Sequence, residues 1–154
     1  MNLSEAQSLA RSLFREFGID QQGWSFRWDN AKRRHGVTKF ATRVISLSRP
    51  LTQINDRSIV ENTIRHEIAH VLAGSGHGHD ATWQRIARQV GANPVRCQSE
   101  GEKVSSAWVG ICPNCDYQHP RHRAPKAGVR HMCTAPTCRH LPQESRVISW
   151  RRAR

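Results

Sequence analysis

His66-Glu67-Ile68-Ala69-His70 is the stretch whose residue types and spacing can do chemistry. Its surroundings predict one helix over residues 55–73. On a helix, residues four apart share a face, about one turn up. His66 and His70 can therefore offer imidazole nitrogens to one metal ion. Glu67, one step round, can bond a water on that metal and take its proton. This is the H-E-x-x-H arrangement of zinc peptidases, with two ligands and a general base. The plainer alternative is a polar helix face carrying solvated histidines.

A catalytic zinc takes three protein ligands and keeps one position for water. The candidates for the third are His77, His79, Asp80 and the more distant Glu100. The metzincin spacing would need glycine at position 73 and histidine at 76, and Gly74 and His77 each fall one residue late. The methionine turn of that class is also missing, since Met132 lies between cysteines. A gluzincin would need a glutamate on the following helix, and residues 80–91 hold none. In Gly76-His77-Gly78-His79-Asp80-Ala81-Thr82-Trp83, His79 stands at the entrance of the next helix, four residues before a large aromatic. Trp83 can anchor that helix while His79 faces the motif helix. His77 stays open as the rival.

A second constellation follows. Cys112-Pro113-Asn114-Cys115 and Cys133 with Cys138 form two close pairs about twenty residues apart, the pattern of a zinc ribbon with four thiolates closed to water. Such a metal folds a segment too small and polar to fold alone. The second pair has four intervening residues where two are usual, so His131 or His140 could replace one cysteine. His119 and His122 are read as surface loop residues, and the unpaired Cys97 as a small buried apolar side chain. Between the pairs, Arg121, Arg123, Lys126 and Arg130, with Trp108, Tyr117 and Trp150 nearby, could combine phosphate contacts with base stacking on unpaired DNA. Alternatively the aromatics only pack on the ribbon.

The elements that must position these residues follow from periodicity. Residues 4–17 predict a helix with Leu9, Leu13, Phe14 and Phe17 on one side, a Ser4–Gln7 capping box and Gly18 at its end. Residues 24–28, 36–41 and 43–48 predict three short strands in a small antiparallel or mixed sheet. Lys32-Arg33-Arg34 falls on a charged turn between strands. The motif helix turns Val60, Ile64, Ile68 and Val71 inward; Ser58 and Glu61 offer it a second start. Residues 80–90 predict another helix, with Trp83, Ile86, Ala87 and Val90 inward.

The chain has 154 residues, 37% hydrophobic, with a net charge of +12, five cysteines and a mean hydropathy of −0.67. Such a thin core favours metal staples, and such a charge favours a polyanionic partner, most simply nucleic acid. No apolar run marks a signal peptide or a membrane span, so the expected location is cytoplasmic and DNA-associated. Residues 96–154 carry net +7 and all the cysteines, against +5 for residues 1–95, which sets a division into 1–100 and 101–154.

The H-E-x-x-H helix followed by a Gly-His segment with histidine four before an aromatic, and then a ribbon, resembles the SprT-like, or Spartan-like, metalloproteases over about residues 40–140. The resemblance implies an α+β fold: a zincin-like minimal metalloprotease domain (helix, small sheet, motif helix, second helix), then a basic zinc ribbon that binds DNA. It implies that His66, His70 and His79 hold a catalytic Zn²⁺, with a structural Zn²⁺ on Cys112, Cys115, Cys133 and Cys138. Glu67 would activate the water and pass its proton to the leaving amine. Its substrates would be proteins held on DNA, including covalent crosslinks. Two other readings compete. One is a non-catalytic DNA-binding zinc protein with an inactive H-E-x-x-H site; the other is a peptidase with a different target.

Overall fold

The computed structural model describes residues 1–95 and 101–153. They fall into two compact units, Met1–Val104 and Ser105–Arg154. The boundary read from composition, at 100 and 101, lies at the edge of residues 96–100; Cys97 and Glu100 are outside the described residues.

The first unit begins with α1 (Leu3–Glu16), whose Ala6, Ala10, Leu13 and Phe14 are buried on one side. Asn2, not Ser4, caps it: its Oδ1 accepts from Ser4 N–H at 2.8 Å. Then come β1 (Ser25–Asp29), β2 (Gly36–Lys39) and β3 (Val44–Ser48). The sheet order is β1-β3-β2, with β1 parallel and β2 antiparallel to the central strand, so the sheet is mixed. The connection from β1 to β2 must cross the end of β3, and Asp29 organises it. Its carboxylate accepts from Ala31 N–H at 2.9 Å and from Ser46 Oγ–H at 2.8 Å, and pairs with Arg34 at 2.8 Å. Ser48 N–H then donates to His35 O at 2.8 Å.

A short helix absent from the sequence reading follows, α2 (Arg49–Ile54). Pro50 stops the strand and also sits in the first turn of this helix, where a missing N–H costs nothing. Helix α3 (Arg57–Ala73) starts at Asp56, whose side chain accepts from Ile59 N–H at 3.2 Å. That start lies between the two sequence candidates, because aspartate fills the cap position that Ser58 was given. Helix α4 (Ala81–Gln89) is capped the same way, Asp80 accepting from Trp83 N–H at 2.9 Å. One apolar core joins α1, α3 and α4 to the sheet through Leu13, Phe14, Ile45, Leu47, Ile64, Ile68 and Trp83.

The second unit is a three-stranded antiparallel sheet, order β5-β4-β6, from β4 (Trp108–Cys112), β5 (Cys115–Arg121) and β6 (Ser149–Arg152). Its buried residues are Cys112, Cys133, Ala135, Cys138 and Ile148, with Cys115, Leu141 and Trp150 packed against them. The cysteines are themselves most of that core. A Cβ at Gly110 would stand 2.5 Å from Ile148 Cγ2 and 3.0 Å from the Trp150 ring, so only glycine lets those side chains cross β4. Among the described residues, no helix of either unit is long and apolar enough to cross a membrane.

Candidate active site

Helix α3 carries His66 and His70 one turn apart, and the Gly-rich segment after it returns His79 to them. Nε2 of His66 lies 3.3 Å from Nε2 of His70 and 3.2 Å from Nε2 of His79. The three rings offer ligand atoms that all fall within 4.8 Å of one another. Metal–nitrogen bonds of about 2.0–2.1 Å in a tetrahedron hold ligand nitrogens about 3.3 Å apart, so the cluster fits one small cation. Burial, and then the charges of His70 and His79, push His66 down to about 4; burial, then His79, does the same to His70. At neutral pH both rings therefore keep a lone pair free for a metal.

Trp83 makes the platform. It is 0% exposed, and its ring centroid lies 4.7, 5.2 and 4.5 Å from those of His66, His70 and His79. The aromatic that anchors α4 in the core thus also packs against His66, His70 and His79. His77 points elsewhere: its Nδ1 lies 2.7 Å from Asp80 Oδ2, so two of the sequence candidates for third ligand pair with each other.

Glu67 is buried, only 6% exposed, with Gly36 and Thr38 of β2 against its carboxyl. Burial pushes its carboxyl up to about 7, against the opposing pull of a hydrogen bond from Thr38 and the charge of Arg34. Thr38 Oγ1–H donates to Glu67 Oε2 at 2.7 Å and stands 2.9 Å from the Glu67 backbone oxygen. Gly36 shares the face of β2 with Thr38, since alternate strand residues point the same way. A Cβ there would stand 2.9 Å from both Cγ and Oε1 of Glu67. Sequence reasoning missed Gly36, Thr38 and Arg34. No spacing along the chain pointed to them, because their contacts with Glu67 join a strand and a turn to a helix about thirty residues away.

In the second unit the sulfurs of Cys112, Cys115, Cys133 and Cys138 lie within 4.8 Å of one another. Cys112 is 3.8 Å from Cys138, and Cys115 is 3.8 Å from Cys133. Metal–sulfur bonds of about 2.3 Å give tetrahedral edges of about 3.8 Å, so this donor set also fits one ion. The Asn114 N–H bond holds the Cys112 thiol down to about 7, whereas burial and the neighbouring sulfurs push Cys138 up to about 12. Several thiolates cannot share so small a space without a cation to neutralise them. Neither His131 nor His140 belongs to this group: His131 Nε2 lies 2.7 Å from Arg121 Nη1, and His140 is exposed. His119 is not a free surface residue, for its Nε2 lies 3.3 Å from Cys133 Sγ.

Arg121 is partly buried, stacked 5.3 Å from the Trp150 ring centroid, and Arg152 lies 5.7 Å over Trp108. Arg123, Lys126 and Arg130 are exposed, as is Tyr117 at 56%. Register puts Tyr117, His119 and Arg121 of β5, Trp108 of β4 and Trp150 and Arg152 of β6 on one face.

The model of the SprT-like family matches residues 5–103. The chain is 28% identical over 113 residues to the protein SprT of Pseudomonas savastanoi pv. phaseolicola, covering 66% of this chain and 69% of that relative. Against the protein SprT of Pseudomonas entomophila it is 26% identical over 121 residues, covering 71% and 73%. No solved structure gives a significant match.

Proposed function

The chain belongs to the SprT-like family, and from that premise we propose that it is a zinc-dependent endopeptidase acting on proteins bound or crosslinked to DNA. The observation that carries the reading is the junction of a buried, high-pKa Glu67 with three converged imidazoles on and beside the same helix.

His66, His70 and His79 would hold the catalytic ion, and the four cysteines a structural one. A zinc ion on the histidines supplies Lewis-acid activation of water and of the scissile carbonyl. Glu67 takes the proton from the attacking water as its oxygen bonds to the carbonyl carbon. The same carboxyl then delivers that proton to the amine nitrogen as the C–N bond breaks. Burial raises the carboxyl above its usual range, which favours its holding the proton between the two transfers. Thr38 holds one carboxyl oxygen in place throughout.

Support for DNA comes from charge and from the ribbon face. Trp108 and Tyr117 offer flat surfaces for unpaired bases, with Arg152 lying over Trp108 and Arg121 beside them over the packed Trp150. Arg123, Lys126 and Arg130 supply phosphate contacts. Gripping DNA would raise the effective concentration of any protein on the same strand, so the active site need not be selective. This reading puts the protein in the cytoplasm, on DNA. The bond from Thr38 to Glu67 also suits the competing, non-catalytic reading, in which the carboxylate is only a packed structural group. Cleavage of a DNA-binding protein with and without single-stranded DNA separates them. The proposal expects cleavage that rises with DNA; zinc-loaded protein that binds DNA and cleaves nothing would support the non-catalytic one.

A further inference from the structure

A cavity of about 400 Å³ lies between α1 and β1, and neither the histidine cluster nor Glu67 lines it. Arg11 and Arg15, one turn apart on α1, share its lining with Arg27 of β1. All of these guanidinium groups are exposed, and none has a hydrogen bond or ion pair among the described residues. Asp20 is the one carboxylate in the lining, and it is occupied with Gln21 N–H at 2.9 Å. Three guanidinium groups against this one carboxylate leave the cavity with a net positive charge. Gln7, Ser25, Trp24 and Phe26 complete its walls, and Phe14, only 3% exposed, lies at its floor. Trp24 is fixed edge-on against Phe40 at 5.6 Å, so it offers a set surface rather than a mobile ring.

Arginines facing aromatic walls match a ligand that alternates flat rings with anions. The volume suits one base with its sugar, at the small end of ligand pockets. Residues four apart on a helix hold their Cβ atoms about 6 Å apart, close to the step between neighbouring phosphates of an extended strand. An acidic peptide would satisfy the arginines and leave the aromatic walls without a matching surface. We propose that the α1–β1 cavity is a second contact for single-stranded nucleic acid, taking a base against Trp24 and Phe26 and the flanking phosphates on Arg11, Arg15 and Arg27. The inference rests on the reading that this chain binds single-stranded DNA, and it adds a contact outside the ribbon.

The test uses the full zinc-loaded chain and a labelled oligothymidine, with affinity measured across a salt series. Each lost phosphate contact on a single strand lowers the slope of log K against log salt by about 0.7. Arg11→Gln, Arg15→Gln and Arg27→Gln together are thus expected to lower it by about 2, and affinity in low salt by about tenfold. A halogenated-uridine oligonucleotide, photocrosslinked to the wild type, is expected to label residues 24–27. That readout does not depend on the folding of a variant. An unchanged slope, crosslinks confined to the ribbon, or equal competition by an oligoglutamate of the same charge would overturn the inference while leaving DNA binding intact. No binding by the wild type would overturn both.

Discussion

Thr38 donates its hydroxyl to Oε2 of Glu67 at 2.7 Å, across 29 residues of sequence and from a strand to a helix. The bond fixes the carboxyl that has to receive and return a proton. Removing the outer partner of a metal-site group commonly costs about 10–100-fold in activity. Thr38→Val should lose that much kcat while keeping its bound metal, and Thr38→Ser should recover most of it. A loss equal in both variants would make the methyl group, rather than the hydroxyl, the important part.

Gly36 should tolerate no side chain. A Cβ there meets Glu67 Cγ and Oε1 at 2.9 Å and Thr63 Cγ2 at 3.0 Å, and the buried carboxyl has nowhere to swing. Overpacking of this kind costs about 1–3 kcal/mol. Gly36→Ala is expected to unfold at lower denaturant and to lose peptide cleavage even where it is fully folded. Wild-type activity and midpoint together would mean that β2 can move away from α3.

The metal-free protein should carry a pH signature of Glu67. Its folded pKa is raised by burial from 4.5 to about 7. For a raised carboxyl, the group's contribution to stability is fully present below pH 4.5 and is lost as pH rises through about 7. Glu67→Gln removes that loss. In denaturant titrations of chelated protein, the variant should gain on the wild type between pH 4.5 and 8, by up to about 3 kcal/mol. His66 and His70 titrate in both proteins, so their acid-side slope cancels in the difference. Parallel curves would place the carboxyl in water.

The ribbon should depend on its ion for its fold, since its buried core is mainly cysteine. Cys133→Ser is expected to drop bound metal by about one ion per chain, to lose hydrogen-exchange protection across β4, β5 and β6, and to abolish DNA stimulation. Cleavage of a short peptide should survive. Retained protection without metal would show that Ile148, Leu141 and Trp150 suffice.

The legible parts of the sequence were those whose signals are local. Ligand spacing pointed to His66, His70 and the cysteine pairs, and apolar periodicity to α1, α3, α4 and β1, β2 and β3, but not to β4, β5 and β6. Helix starts missed by a residue or two because Asn2 and Asp56 compete with neighbouring serines for the same cap. Helix α2 was hidden because Pro50 ends a strand and opens a helix with one residue. The contacts of Thr38 and Gly36 with Glu67, of Trp83 with His66 and His70, and of His119 with Cys133 depend on long-range register. No spacing along the chain encodes them.

The most direct test of the account is peptide-bond cleavage by the wild type and by Glu67→Gln, with bound zinc counted in each. The account predicts cleavage by the wild type, loss of it in the variant by about a hundredfold or more, and equal zinc in both. Cleavage that survives in a zinc-loaded Glu67→Gln protein would contradict it, because the proton would then be moving through some other group.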